Sequence, residues 1–201
     1  MKQKLEFTGD VFQQIIKQLS IIDRFKGNWE SVELKHSKHL KELRKIATIE
    51  SIGSSTRIEG ATLTDAEVEK LLKSVKITKL TTREQQEVVG YYDTLQIILD
   101  NYKDIDLSER YIHQLHGILL KHSGKDQSHK GKYKILSNQV VANYPDGTQK
   151  TIFRTTDPAM TAKEMEELLL WINERFEKSD MHPVIITAAF VYEFLSIHPY
   201  Q

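Results

Sequence analysis

Cysteine does not occur among the 201 residues. Its absence excludes a disulfide framework and any thiolate metal site, and fits a reducing compartment. Neither sign of charge dominates, because 28 basic side chains are matched by 28 acidic ones. A balanced chain offers no field that would draw it to nucleic acid or to a membrane surface. No apolar run follows the opening Met1-Lys2-Gln3-Lys4-Leu5-Glu6, so nothing there reads as a signal peptide. The most apolar stretch, Pro183 to Tyr192, carries no charge, but it is half the roughly 20 residues needed to cross a bilayer. Repeats and low-complexity segments are missing too. These absences lead to the expectation of a cytoplasmic protein without nucleic-acid or membrane partners.

Most of what is present has a helical period. Asp10 is placed to cap a first helix whose apolar face carries Val11, Phe12, Ile15, Ile16 and Leu19. A longer helix is expected from about Glu30 to about Ser54, with Leu34, Leu40, Leu43, Ile46 and Ile49. Thr64 with Glu67, Thr81 with Glu84, and Thr161 with Glu164 each match the capping box, in which hydroxyl and carboxylate satisfy one another's backbone N–H groups. Ser108 caps another helix, and Pro183 suits the first position of the last one. The period breaks once. Ile135–Ala142 and Thr151–Arg154 read as short strands around the turn Asn143-Tyr144-Pro145-Asp146-Gly147. The expected fold is all-α, a helical bundle with one β-hairpin. Residues 1–79 form an N-terminal helical region and 80–201 a core.

One group is suited to chemistry near neutral pH. His198 follows a helix and precedes Pro199, which biases it away from helical backbone angles and onto a turn. An imidazole there suits proton transfer; it equally suits the negative end of the helix dipole. Ser55 and Glu59, four apart, share a face at a helix end that Gly60 terminates. Glu59 is either a pocket-directed carboxylate or a solvated one. His113 with His116, and His36 with His39, are spaced to share helix faces, but no further ligand completes a metal site. They read as surface or interface histidines, and Trp171 and the Tyr91-Tyr92 pair as packing. Lys121, Lys125, Lys130, Lys132 and Lys134 read as a solvated loop.

Three separated segments resemble the Fic (Fido) family in the family's order. Ser55-Thr56-Arg57-Ile58-Glu59-Gly60 resembles the inhibitory motif Ser/Thr-x-x-x-Glu-Gly/Asn. Gly131-Lys132-Tyr133-Lys134 resembles the Gly-x-Tyr-Arg lead-in to a hairpin flap, with Lys134 in the Arg place. Phe190 through His198-Pro199-Tyr200-Gln201 resembles the entry to the active-site motif His-Pro-Phe-x-Asp/Glu-Gly-Asn-Gly-Arg-x-x-Arg, with Tyr200 for the Phe. The subgroup it resembles carries its inhibitory helix N-terminal to the core.

The resemblance implies a Fic-type helical bundle and a protein adenylyltransferase. It would move AMP from ATP to a hydroxyl of a protein substrate, itself included, with His198 as general base. ATP and Mg²⁺ are the implied cofactors, and a homodimer is an implied partner. Glu59, with Ser55 and Gly60, would be the inhibitory site, and Val140 and Val141 would hold a target on the flap. The Mg²⁺ ligand, phosphate loop and motif arginines would fall past Gln201. Residues 1–201 alone are therefore expected to be inactive. Alternatives are phosphoryl or phosphocholine transfer on the same fold, or a non-enzymatic helical interaction module.

Overall fold

In the computed structural model, residues 7–58, 60–75 and 79–200 are described. Among them are six helices and one two-stranded sheet: α1 (Gly9–Ile58), α2 (Asp65–Ser74), α3 (Arg83–Asn101), α4 (Glu109–Leu119), β1 (Gln139–Asn143), β2 (Gln149–Arg154), α5 (Pro158–Lys178) and α6 (Pro183–Ile197). The all-α fold with one hairpin is what the periodicity led us to expect. The chain divides into two compact units, Lys2–Lys73 and Ser74–Gln201.

The first unit departs from expectation at its start. A single 50-residue helix replaces the two expected ones. Gly27 and Asn28 lie within it. An interior glycine costs only about 1 kcal/mol relative to alanine, and no proline stands there to force a break. Asp10 is not the cap either. It sits in the first turn, where its charge suits the helix dipole, and the Phe12 N–H donates to the Thr8 carbonyl at 2.9 Å. The capping box at α2 forms as its sequence indicates. The Thr64 N–H donates to Glu67 Oε2 at 2.8 Å, and the Glu67 N–H to Thr64 Oγ1 at 3.3 Å.

In the second unit two caps shift. The box before α3 pairs Thr82 with Gln85 rather than Thr81 with Glu84. Thr161 lies inside α5, wholly buried, because Asp157 caps that helix and Pro158 opens it; Glu164 instead accepts from the Thr156 hydroxyl at 2.6 Å. Ser108 and Pro183 take their expected places. Gly90 lets α3 approach α4 closely, since a Cβ there would lie 2.0 Å from the Leu119 carbonyl oxygen. Met165, Leu168 and Leu169 of α5 bury against Ile197 of α6, and Ile112, Tyr133, Phe190 and Phe194 close around them. This core seats the end of α6, and with it His198.

The hairpin is antiparallel, with Val140 opposite Phe153, Val141 opposite Thr151, and a register shift between. The extra residue is Ile152, a bulge that increases local twist. Ile135 to Asn138, expected as strand, lie outside β1; Ile135 and Leu136 are exposed. The turn closes through Tyr144 N–H to Thr148 O at 2.9 Å, with Gly147 at φ 81°.

Candidate functional site

His198 ends α6 in the left-handed region, at φ 48° and ψ 66°, with its N–H donating to the Phe194 carbonyl. A non-glycine residue there is uncommon. Pro199 disfavours a further helical residue, and two sets of contacts hold the turn. The side chain is exposed, between buried Ile197 and buried Pro199.

The first set comes from Lys134, which is 3 % exposed. Its Nζ donates to the Ile197 carbonyl at 2.8 Å, to Thr155 Oγ1 at 2.8 Å and to Asn138 Oδ1 at 3.0 Å. Its backbone N–H donates to the Pro199 carbonyl at 2.8 Å. An ammonium has three protons, and each has an acceptor here. Ile197 O belongs to the last turn of α6, where carbonyls lack helical partners and positive charge is favoured. Burial lowers the basicity of this amine, while Asp157 and Glu164 oppose that shift. Asn138 Nδ2 adds a bond to the Tyr200 carbonyl at 3.4 Å.

The second set holds Tyr200. Its ring stacks on His116 with centroids 4.0 Å apart, and its hydroxyl lies 2.8 Å from His113 Nδ1. His113 Nε2 faces Glu109 at 3.7 Å. With its proton on Nε2, the imidazole accepts from the tyrosine hydroxyl. His116 Nδ1 accepts from the Gly131 N–H at 3.1 Å, which places its own proton on Nε2. Burial first, and His113 second, push His116 down to about 4. Burial likewise raises the Tyr200 phenol, helped by the Glu109 charge. Gly131 is at φ 65°, and a Cβ would meet the His113 carbonyl at 3.0 Å.

His113 and His116 are thus part-buried clasps of Tyr200, not surface histidines. Their spacing of three on one face was visible; their partner, 84 residues or more away in sequence, was not. The sequence places Lys134 in a lead-in and in a lysine-rich loop expected to be solvated; the structure instead buries it, and nothing local in the sequence links it to Asn138, Thr155 and Ile197. Val141 is partly exposed on the hairpin; Val140 has a place in the register, and its side chain lies outside the description.

The remaining expected site residues are in the other unit. Ser55 lies in the last turn of α1 and is half-buried. Gly60 has φ 96°. Its N–H donates to the Arg57 carbonyl and that of Ala61 to Thr56 O, both at 3.0 Å, the paired bonds of a Schellman helix end. Glu59 itself lies outside the described residues.

The Fic/DOC family model matches residues 106–201, the span that holds the lead-in, hairpin, α5, α6 and His198. Over those residues the chain is similar to the Fic/DOC family. A Fic-domain-containing signaling protein from Bacteroides thetaiotaomicron VPI-5482 is 25% identical, covering 89% of this chain and 65% of that one with a TM-score of 0.74. A Fic family protein from Desulfovibrio desulfuricans G20 is 24% identical, covering 100% of this chain and 55% of its own, with a TM-score of 0.71. No curated protein matches the chain. It therefore spans less than two thirds of either solved relative. The Fic family is known for transferase activity.

Among the described residues no group of three or more His, Asp or Glu side chains is placed to hold a metal ion. No described helix is long and apolar enough to cross a membrane.

Proposed function

We propose that this Fic domain transfers AMP from ATP to a hydroxyl of a protein substrate, with His198 as the general base. The observation that carries the proposal is the exposed His198 imidazole on a turn clamped from both sides, by Lys134 and by the Tyr200 clasp. A base needs fixed geometry first and a suitable pKa second. Neutral imidazole takes the proton of a serine, threonine or tyrosine hydroxyl. The hydroxyl oxygen bonds to the α-phosphorus, and the bond to pyrophosphate breaks. The open edges of β1 and β2 suit a target segment docking by strand addition, with Val140 and Val141 as apolar contacts. ATP is then the substrate and Mg²⁺ its expected companion. Glu59, with Ser55 and Gly60 at the end of α1, serves as the brake.

The position of the label in ATP tests the reaction. In the protein that carries this chain, α-labelled ATP should mark a protein acceptor and γ-labelled ATP should not. His198→Ala should lower transfer by about 100-fold or more, the usual worth of a positioned base. Transfer of the γ label would instead establish phosphoryl transfer. Acceptance only from a phosphocholine donor would establish the other alternative. Full transfer by His198→Ala would remove His198 from its role. No transfer from any donor, together with no nucleotide-dependent change in stability, would leave an interaction module.

A further inference from the structure

The buried ammonium of Lys134 calls for a reason beyond packing. A charge removed from water is costly unless fully bonded, and an apolar side chain of similar volume is often as stable or more so. Lys134 sends its three protons to uncharged oxygens on three different segments. Asn138 immediately precedes β1, Thr155 immediately follows β2, and Ile197 immediately precedes His198. The Thr155 hydroxyl donates onward to the Asn138 carbonyl at 2.9 Å, so the two hairpin roots are also tied to each other. The Lys134 N–H takes the carbonyl just beyond His198, that of Pro199. The backbone on both sides of His198 is therefore bonded to one residue, and the same residue holds both ends of the hairpin.

We propose that Lys134 is the positioning residue for His198, fixing the turn that carries the imidazole and coupling it mechanically to the roots of the hairpin. A segment that docks on the hairpin and pulls on its roots then acts on the base through this ammonium. The role of His198 rests on the adenylyl-transfer reading; the coupling itself does not.

The test uses the 201-residue chain with labelled histidines and needs no catalysis. Lys134→Met keeps the stem's volume and removes the donors. In that variant the His198 ring signals should move or split and its titration midpoint should change. The ring signals of His122 and His182 should stay in place. The His198 amide, which donates to the Phe194 carbonyl, should lose hydrogen-exchange protection while the α5 amides keep theirs. Lys134→Arg should restore His198 at least in part. Thr155→Val gives a second handle if Lys134→Met does not fold. It deletes one acceptor at the hairpin root, 43 positions from His198 in sequence, and should still move the His198 signals. A folded Lys134→Met with unchanged His198 signals would overturn the proposal. So would an unfolded Lys134→Met together with unmoved His198 signals in Thr155→Val. In an assay of transfer, Lys134→Met should lower kcat more than it raises KM. Absence of transfer in the wild type would count against the reaction alone.

Discussion

At the scale of single side chains, pH acts on this domain through the clasp of Tyr200. His116 is stacked on the Tyr200 ring, within the electrostatic influence of His113, Asp126 and His129, and accepts from the Gly131 N–H. Protonation would desolvate a charge and take away that acceptor. Its folded pKa of about 4 lies below the ordinary histidine value of 6.5. Between these values the unfolded chain binds the extra proton. The contribution is then fully present above pH 6.5 and is lost as pH falls toward 4. At pH 5 the loss should be about 2 kcal/mol. Urea unfolding at pH 7 and pH 5 measures it, and His116→Gln, which keeps an acceptor but does not titrate, should flatten the difference. Equal pH dependence in the two proteins would show that His116 does not carry it.

At the scale of elements, the same substitution should have opposite signs at two glycines, one within α1 and one just past its end. Gly27 lies within the helix, with open space where a Cβ would go. Gly27→Ala should stabilise the Lys2–Lys73 unit by about 1 kcal/mol. Gly60 also has open space, but its φ is 96°. Gly60→Ala should destabilise the unit by about 1–2 kcal/mol through backbone strain alone, and Gly60→Asn by less. Thermal unfolding of the single variants decides both. The contrast also shows what was legible in advance. Gly60, the Thr64–Glu67 box, Ser108 and Pro183 are punctuation within a few residues of what they control, and the structure follows them. Thr81-Thr82-Arg83-Glu84-Gln85 offers two overlapping boxes, and the later one forms. Asp157-Pro158 is a stronger helix start than Thr161, so the threonine is absorbed into α5. The turn at His198 was legible because its proline and its helix are adjacent. The Lys134 knot draws together positions 134, 138, 155 and 197, and no periodicity encodes a contact that only the packed core brings about.

At the scale of the whole molecule, the proposed base and the proposed brake belong to different units, His198 to Ser74–Gln201 and Glu59 to Lys2–Lys73. On that proposal, inhibition rests on what the Glu59 carboxylate does rather than on the stability of either core. A carboxylate that takes a charge-assisted bond from the nucleotide's phosphate-binding partner withholds about 1.5–3 kcal/mol, which is roughly 10- to 100-fold in rate. Glu59→Gly should raise AMP transfer by about that factor in the protein that carries this chain. Nucleotide affinity should change much less, since the proposed brake acts on γ-phosphate placement and not on all binding. Glu59→Gln separates charge from shape: it keeps the side chain's length, so a rise close to that of Glu59→Gly would assign the inhibition to charge. Unfolding midpoints of both variants should stay near the wild-type value. A matched fall in midpoint would mean that loosening of the helix end, and not loss of the carboxylate, released the activity. An unchanged rate in both variants would remove Glu59 as the brake while leaving the proposed role of His198 in place.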